Sequence, residues 1–233
     1  MNAMASRIRD VSRTIVLIAI VMASVVGASE ARPASVSVRL SVVRCPTSYG
    51  TPTGKSPAIP ATVTVSSSAR NLAAYSNGWM LALAPRGWHC SGGVGADGNE
   101  GLTILPPYVS TVTAAAAAVT AFHQWNGVAV YTACPFFPEL ARGTSFPCAI
   151  SRRELVGRLG ARDVGFEDPP GVHGSGDPSG GALPANGVVA YTYVGTKPSN
   201  AQITVGSETC TLPKAQHAAC TAVLNDFLGR WKR

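Results

Sequence analysis

Charge is scarce in this chain. Only 13% of its 233 residues are Asp, Glu, Lys or Arg, and just 12 are acidic. So few carboxylates leave little material for a calcium loop, which needs about six to eight oxygen ligands. No Cys-x-x-Cys pair occurs, so the spacing of a structural zinc site is missing and no metal is expected. No long basic stripe with interleaved aromatics occurs, which argues against a nucleic-acid partner. No apolar run approaches the roughly 20 residues that cross a bilayer. Internal repeats and long low-complexity linkers are absent too, which excludes a repeat array.

What is present begins at the N-terminus. Arg7, Arg9 and Arg13 precede an unbroken apolar run over residues 15–23, and small residues follow. That order predicts a secretory signal peptide over residues 1–31, cut after Ala28 or Ala31. The expected mature chain, 32–233, is a single globular domain that works outside the cytoplasm, secreted or attached to the cell envelope. An uncut leader would instead act as an anchor; after cleavage no stable membrane insertion is expected. A hydrophobic content of 46% is too high for a disordered chain. With 24 Gly and 17 Pro, the fold should be rich in turns. The formal net charge of +7 draws the protein toward anionic surfaces without a dedicated site.

Six cysteines follow the leader: Cys45, Cys90, Cys134, Cys148, Cys210 and Cys220. An even number in an exported chain reads as a disulfide framework. Six thiols allow 15 connectivities, and pairing of sequence neighbours is the expectation taken here: Cys45–Cys90, Cys134–Cys148 and Cys210–Cys220.

Strict alternation over 35–44 predicts a half-buried strand, and 61–66 repeats the pattern. Apolar runs at 79–84 and 102–105 read as further strands. The Ala114–Ala118 run tips 111–125 toward helix, although Val and Thr within it favour strand. Pro135 and Pro138 limit any helix over 128–140. Ser151-Arg152-Arg153-Glu154 has the form of a capping box, predicting a short helix to Gly160. Residues 188–194 and 201–205 read as a hairpin. Pro213 opens a final helix to about Gly229, with Ala219, Val223, Leu224, Phe227, Leu228 and Trp231 on one face. The expected class is α+β: a β-rich N-terminal half, then a mixed half whose terminal amphipathic helix packs on a mainly antiparallel sheet.

Several segments invite a chemical reading. Gly176-Asp177-Pro178-Ser179-Gly180-Gly181 looks like the nucleophile segment of trypsin-like serine proteases, and Ala121-Phe122-His123 faintly echoes their histidine segment. His123, Asp163 or Asp168, and Ser179 would supply base, orienting carboxylate and nucleophile. The inserted Pro178 alters the oxyanion-hole backbone, and the spacing is too short for that family's two barrels. The plainer reading is a tightly turned loop. Gly93-Val94-Gly95-Ala96-Asp97-Gly98 matches a dinucleotide fingerprint as a bare pattern, but no βαβ context surrounds it. It reads as a turn, and no cofactor is expected. Asp97 with Glu100, or Glu167 and Asp168 with Asp177, could offer a few oxygens to calcium. Glu167 and Asp168, adjacent on the chain, are also a poor glycosidase pair, because such carboxylates must oppose each other about 5–9 Å apart; Asp177 could oppose Glu167 only through folding. His89, His123, His173 and His217 share no ligand spacing. Among the tryptophans, Trp88 beside Arg86 and His89 is the one expected to be exposed.

Two stretches resemble a group of exported actinobacterial proteins. One is Pro85-Arg86-Gly87-Trp88-His89-Cys90 with Gly95-Ala96-Asp97-Gly98. The other runs from Phe166-Glu167-Asp168-Pro169-Pro170-Gly171 through Pro178-Ser179-Gly180-Gly181 and Pro184-Ala185-Asn186-Gly187. It continues through Cys210-Thr211-Leu212-Pro213 to the segment 220–227. The resemblance implies a common fold with paired cysteines. No activity is assigned to that group, so no functional residue carries over.

The sequence therefore points to a non-enzymatic binding module. Its expected partner is an anionic cell-envelope polymer or another extracellular protein. The alternative is a small extracellular hydrolase using the loop from Glu167 to Asn186, with Asp177, Ser179 and His123 as its catalytic candidates.

Overall fold

The computed structural model describes residues 36–49, 57–110, 117–142, 148, 153–167, 185–195 and 202–232. The segment expected to be a leader lies outside them. So does most of the 167–186 loop, including Asp168, His173, Asp177 and Ser179.

Two sheets carry the fold. A four-stranded sheet is built from β1 (Ser37–Arg44), β3 (Thr62–Ser66), β4 (Leu72–Ser76) and β5 (Leu81–Pro85), in the order β3-β1-β4-β5. The second sheet has eight strands: β2 (Thr47–Tyr49), β6 (His89–Val94), β7 (Glu100–Leu105), β8 (Ala118–Trp125), β9 (Glu154–Arg158), β10 (Asp163–Glu167), β11 (Gly187–Val194) and β12 (Gln202–Thr211). Their spatial order is β2-β6-β7-β8-β12-β11-β10-β9. Pairing is antiparallel except for β1 with β4 and β2 with β6. Among the described residues two α-helices complete it, α1 (Asn126–Ala133) and α2 (His217–Trp231). The α+β expectation holds, with the terminal helix on a mainly antiparallel sheet.

Alternation along the central strands divides the interior in two. On β11 and β12, Val188, Ala190 and Cys210 point into one core, while Val189, Tyr191, Ile203 and Val205 point into another. Successive side chains of a strand face opposite sides, so a sheet covered on both faces builds two cores. The first core lies against α2 and the four-stranded sheet. The second lies under α1 and the 136–140 segment, where Phe136 and Phe137 are buried. On α2, Cys220, Val223, Leu224, Phe227 and Leu228 recur at helical spacing and are buried, which seats the helix on the first core.

All three expected disulfides are present: Cys45–Cys90, Cys134–Cys148 and Cys210–Cys220. No described helix is long and apolar enough to cross a membrane.

Three expectations about secondary structure need correction. Residues 118–125 form β8, not the end of a helix. β8 pairs along its length with β7 on one side and β12 on the other, so filling the middle of a sheet outweighs alanine's helix propensity. Residues 154–158 form the edge strand β9 against β10. The capping box could set up only one short helix, and such a helix is marginal without a packed face. Finally, β12 runs on from Val205 to Thr211, past the Gly206-Ser207-Glu208 break in its apolar pattern.

Candidate functional site

One cross-strand row organises the most distinctive surface. In register across β7, β8, β12, β11 and β10 stand Glu100, His123, Gly206, Ala190 and Asp163. All five belong to the face that α2 covers. The helix ends over this row. Trp231 lies on Gly206, where a Cβ would collide with the indole ring, and Lys232 Nζ pairs with Asp163 Oδ2 at 2.8 Å. Glycine is required here by close approach, not by backbone angle. Replacing Gly206 by Ala should force the ring off the strand. We expect a loss of about 1–3 kcal/mol, the usual cost of overpacking, read as a lower urea midpoint with an altered near-ultraviolet circular dichroism spectrum.

His123 sits where α2 stops covering the sheet. Its Nδ1 lies 3.2 Å from Glu100 Oε2, and Glu100 is buried. Its ring packs at 4.3 Å from Trp125 and edge-on at 5.4 Å from Trp231. The other wall comes from the turn before β5. Buried Asn77 accepts hydrogen bonds from the Trp79 and Met80 backbone N–H groups at 3.1 and 2.7 Å, and donates from Nδ2 to the Gly101 carbonyl of β7. This side chain ties the turn to the large sheet and so positions Trp79. The edge of Tyr49 meets Trp79 at 5.5 Å. Between these walls lies an open cavity of about 180 Å³, lined by Trp79, Met80, His123, Phe227, Arg230 and Trp231 among others.

The charges around this pocket are already partnered. Arg230 Nε donates to Asp226 Oδ2 at 2.8 Å, and His123 is joined to Glu100. Behind Arg230, one row further into the sheet, Glu208 is fully buried. Arg230 Nη2 stands 3.9 Å from Glu208 Oε2. Neither Glu208 oxygen makes a hydrogen bond, nor do Arg230 Nη2 and Trp231 Nε1. Burial therefore pushes the Glu208 carboxyl well above its usual value. Arg230 opposes that shift in part, and Asp226 adds to it.

The sequence-derived candidates fare differently. Of the proposed triad, His123 is engaged with Glu100, and Asp163 is held by Lys232. Asp177 and Ser179 lie outside the described residues. Glu167 is buried on β10. Asp97 and Glu100 do not converge as cation ligands, because Asp97 is bonded to Asn99 and Glu100 to His123. Among the described residues no cluster of three metal-ligating side chains occurs. The Gly93–Gly98 pattern is the end of β6 and the turn into β7, with Gly98 at φ +81°, as its lack of βαβ context predicts. Trp88 is half-buried against the first core instead of exposed. His89 Nε2 meets the Val109 carbonyl at 2.6 Å.

The Glu100–His123 pair escaped sequence reasoning, although its components were visible. Once β7 and β8 are paired antiparallel, register alone sets the two opposite each other. The alternation of His123 and Trp125 along β8 then places both rings on one side.

Fold and site together define a disulfide-linked α+β domain with an aromatic-walled surface pocket. Comparison with family models, curated proteins and solved structures finds no match to this chain.

Proposed function

We propose that this chain is exported and acts outside the cytoplasm as a non-enzymatic binding module. Its contact site is the pocket between Trp79, His123 and Trp231, and its partner is an anionic cell-envelope polymer. The observation that carries this reading is the pocket's lining. Tryptophan rings give large contact areas for little lost conformational freedom and are enriched where binding energy concentrates. His123 is already committed to Glu100 and Arg230 to Asp226, so the pocket offers shape and apolar surface ahead of free charge. Without the leader's Arg7, Arg9, Arg13, Asp10 and Glu30 the chain keeps a formal net charge of +6, which adds long-range attraction to an anionic polymer. Three disulfides suit an oxidising compartment.

The test is retention of the purified protein on isolated cell-envelope polymer. Retention should weaken as salt rises, because the long-range attraction is screened. Trp79→Ala should weaken it about tenfold, the effect of losing one buried aromatic anchor. Retention that ignores Trp79→Ala overturns the site assignment. Turnover of ester, peptide or glycoside substrates that His123→Asn abolishes overturns the reading as a whole. Capture of a single extracellular protein in place of polymer overturns the choice of partner.

A further inference from the structure

A second concavity lies on the far side of Trp125. It is an open groove of about 540 Å³, a size within the roughly 300–1,000 Å³ typical of small-ligand sites. The turn between β6 and β7 contributes Asp97 and Asn99. The end of β8 contributes Trp125, and the first turns of α1 contribute Val128 and Tyr131.

Two features set this groove apart from an incidental dent. Its apolar walls are open to solvent: Tyr131 is 46% exposed and Val128 38%, while Trp125 is half-buried with its ring braced by His123 at 4.3 Å. Its polar end is held in place before any ligand arrives. Asp97 Oδ1 accepts from the Asn99 backbone N–H at 3.1 Å, Asp97 Oδ2 accepts from Asn99 Nδ2, and Asn99 Oδ1 accepts from the Trp125 N–H at 3.1 Å. This chain of bonds ties the hairpin turn to the start of α1. Asn126, at the corner, takes the left-handed φ of +49°, which asparagine tolerates better than most residues. A fixed polar group forfeits less freedom on binding than a mobile one.

The chemistry left over is specific. A carboxylate has about four acceptor sites, and Asp97 spends two on Asn99. The Asn99 amide keeps a second N–H. An acceptor and a donor thus stand side by side next to two aromatic rings. A phosphate or other anion is disfavoured by the Asp97 charge, and a purely apolar ligand would strip water from that carboxylate uncompensated. A ligand with hydroxyls on its rim and a face of C–H groups satisfies both ends.

We infer that this groove binds a neutral saccharide ring, with its C–H face against Trp125 or Tyr131 and its hydroxyls on Asp97 and Asn99. The site is separate from the Trp79–Trp231 pocket, so it stands or falls apart from the function proposed above.

Calorimetric titration of the purified chain with neutral hexasaccharides of glucose, mannose, arabinose and N-acetylglucosamine tests this. At least one should bind saturably. Tyr131→Ala, at an exposed position, should weaken that binding about tenfold, and Asp97→Ala should weaken it comparably. Tyr131→Phe, which keeps the ring, should restore most of it. Trp79→Ala should leave it unchanged while lowering envelope retention. The inference is overturned if none of the four binds at millimolar concentration. Binding that Tyr131→Ala leaves intact, or that Trp79→Ala removes, overturns it equally.

Discussion

Replacing Cys45 and Cys90 together by alanine should cost about 4 kcal/mol of stability, the chain-entropy value for a crosslink spanning 45 residues. Against the 5–15 kcal/mol typical of a whole domain, that is a large share. The bond's position explains its weight. Cys45 directly follows β1 of the four-stranded sheet, and Cys90 lies within β6 of the eight-stranded one. The bond therefore staples the two sheets, beside the short β2–β6 pairing, the Trp88–Tyr75 hydrogen bond and the Asn77 link. The other two disulfides span 14 and 10 residues and should contribute less, about 3 kcal/mol each on the same reasoning. Urea unfolding of the double variant should show a lower midpoint. Its slope should steepen, because the unfolded chain is free to expand. A loss below about 1 kcal/mol would show that the two sheets hold together without the bond.

Glu208→Gln should change how stability depends on pH. Burial raises the folded-state value of this carboxyl well above the 4.5 of an exposed glutamate. The sign follows from proton counting. Between about 4.5 and the raised value, the folded protein holds a proton that the unfolded chain has released. Stability is therefore fully present below that window and falls as pH climbs through it, by up to a factor of about ten in the folding equilibrium per pH unit. Glutamine keeps the shape and never ionises. The variant should match the parent near pH 4 and become the more stable of the two toward neutrality. Thermal midpoints from pH 4 to 8 decide it: parallel curves for the two proteins would mean that Glu208 ionises in the folded state as freely as in the unfolded one. Ionisation at Glu208 also bears on the pocket, because Arg230, beside it, forms part of the wall.

Parts of this architecture are legible in the residue order by itself. The strands near 37–44, 62–66, 81–85 and 187–194 follow from local alternation or short apolar runs between turn residues. The α2 stripe follows from helical spacing, and the end of α1 at Ala133 fits the prolines at 135 and 138. Neighbour pairing of the cysteines proved right: two pairs close short loops of 14 and 10 residues, and Cys45–Cys90 joins strands of the two sheets. The errors have a common cause. Residues 118–125 and 154–158 carry local helix signals, yet each lies beside a strand that needs a partner, and that pairing outweighs a few tenths of a kcal/mol of propensity. The extension of β12 is hidden because Glu208 looks like a surface residue. Its burial follows from lying under Arg230 and the last turns of α2.

What the amino-acid order determined alone was what short-range physics can encode: the α+β class, about half of the strands, the terminal helix and a framework of paired thiols. Periodicity and turn chemistry act between residues a few positions apart, so they can be read along a line. The tertiary structure alone decided that Glu100 faces His123, that Trp231 rests on Gly206, and that Trp125 and Tyr131 share a groove with Asp97. Each of those meetings depends on strand register and on where a helix ends over a sheet. Both are set by the packing of the whole core, and no local stretch of residues carries them.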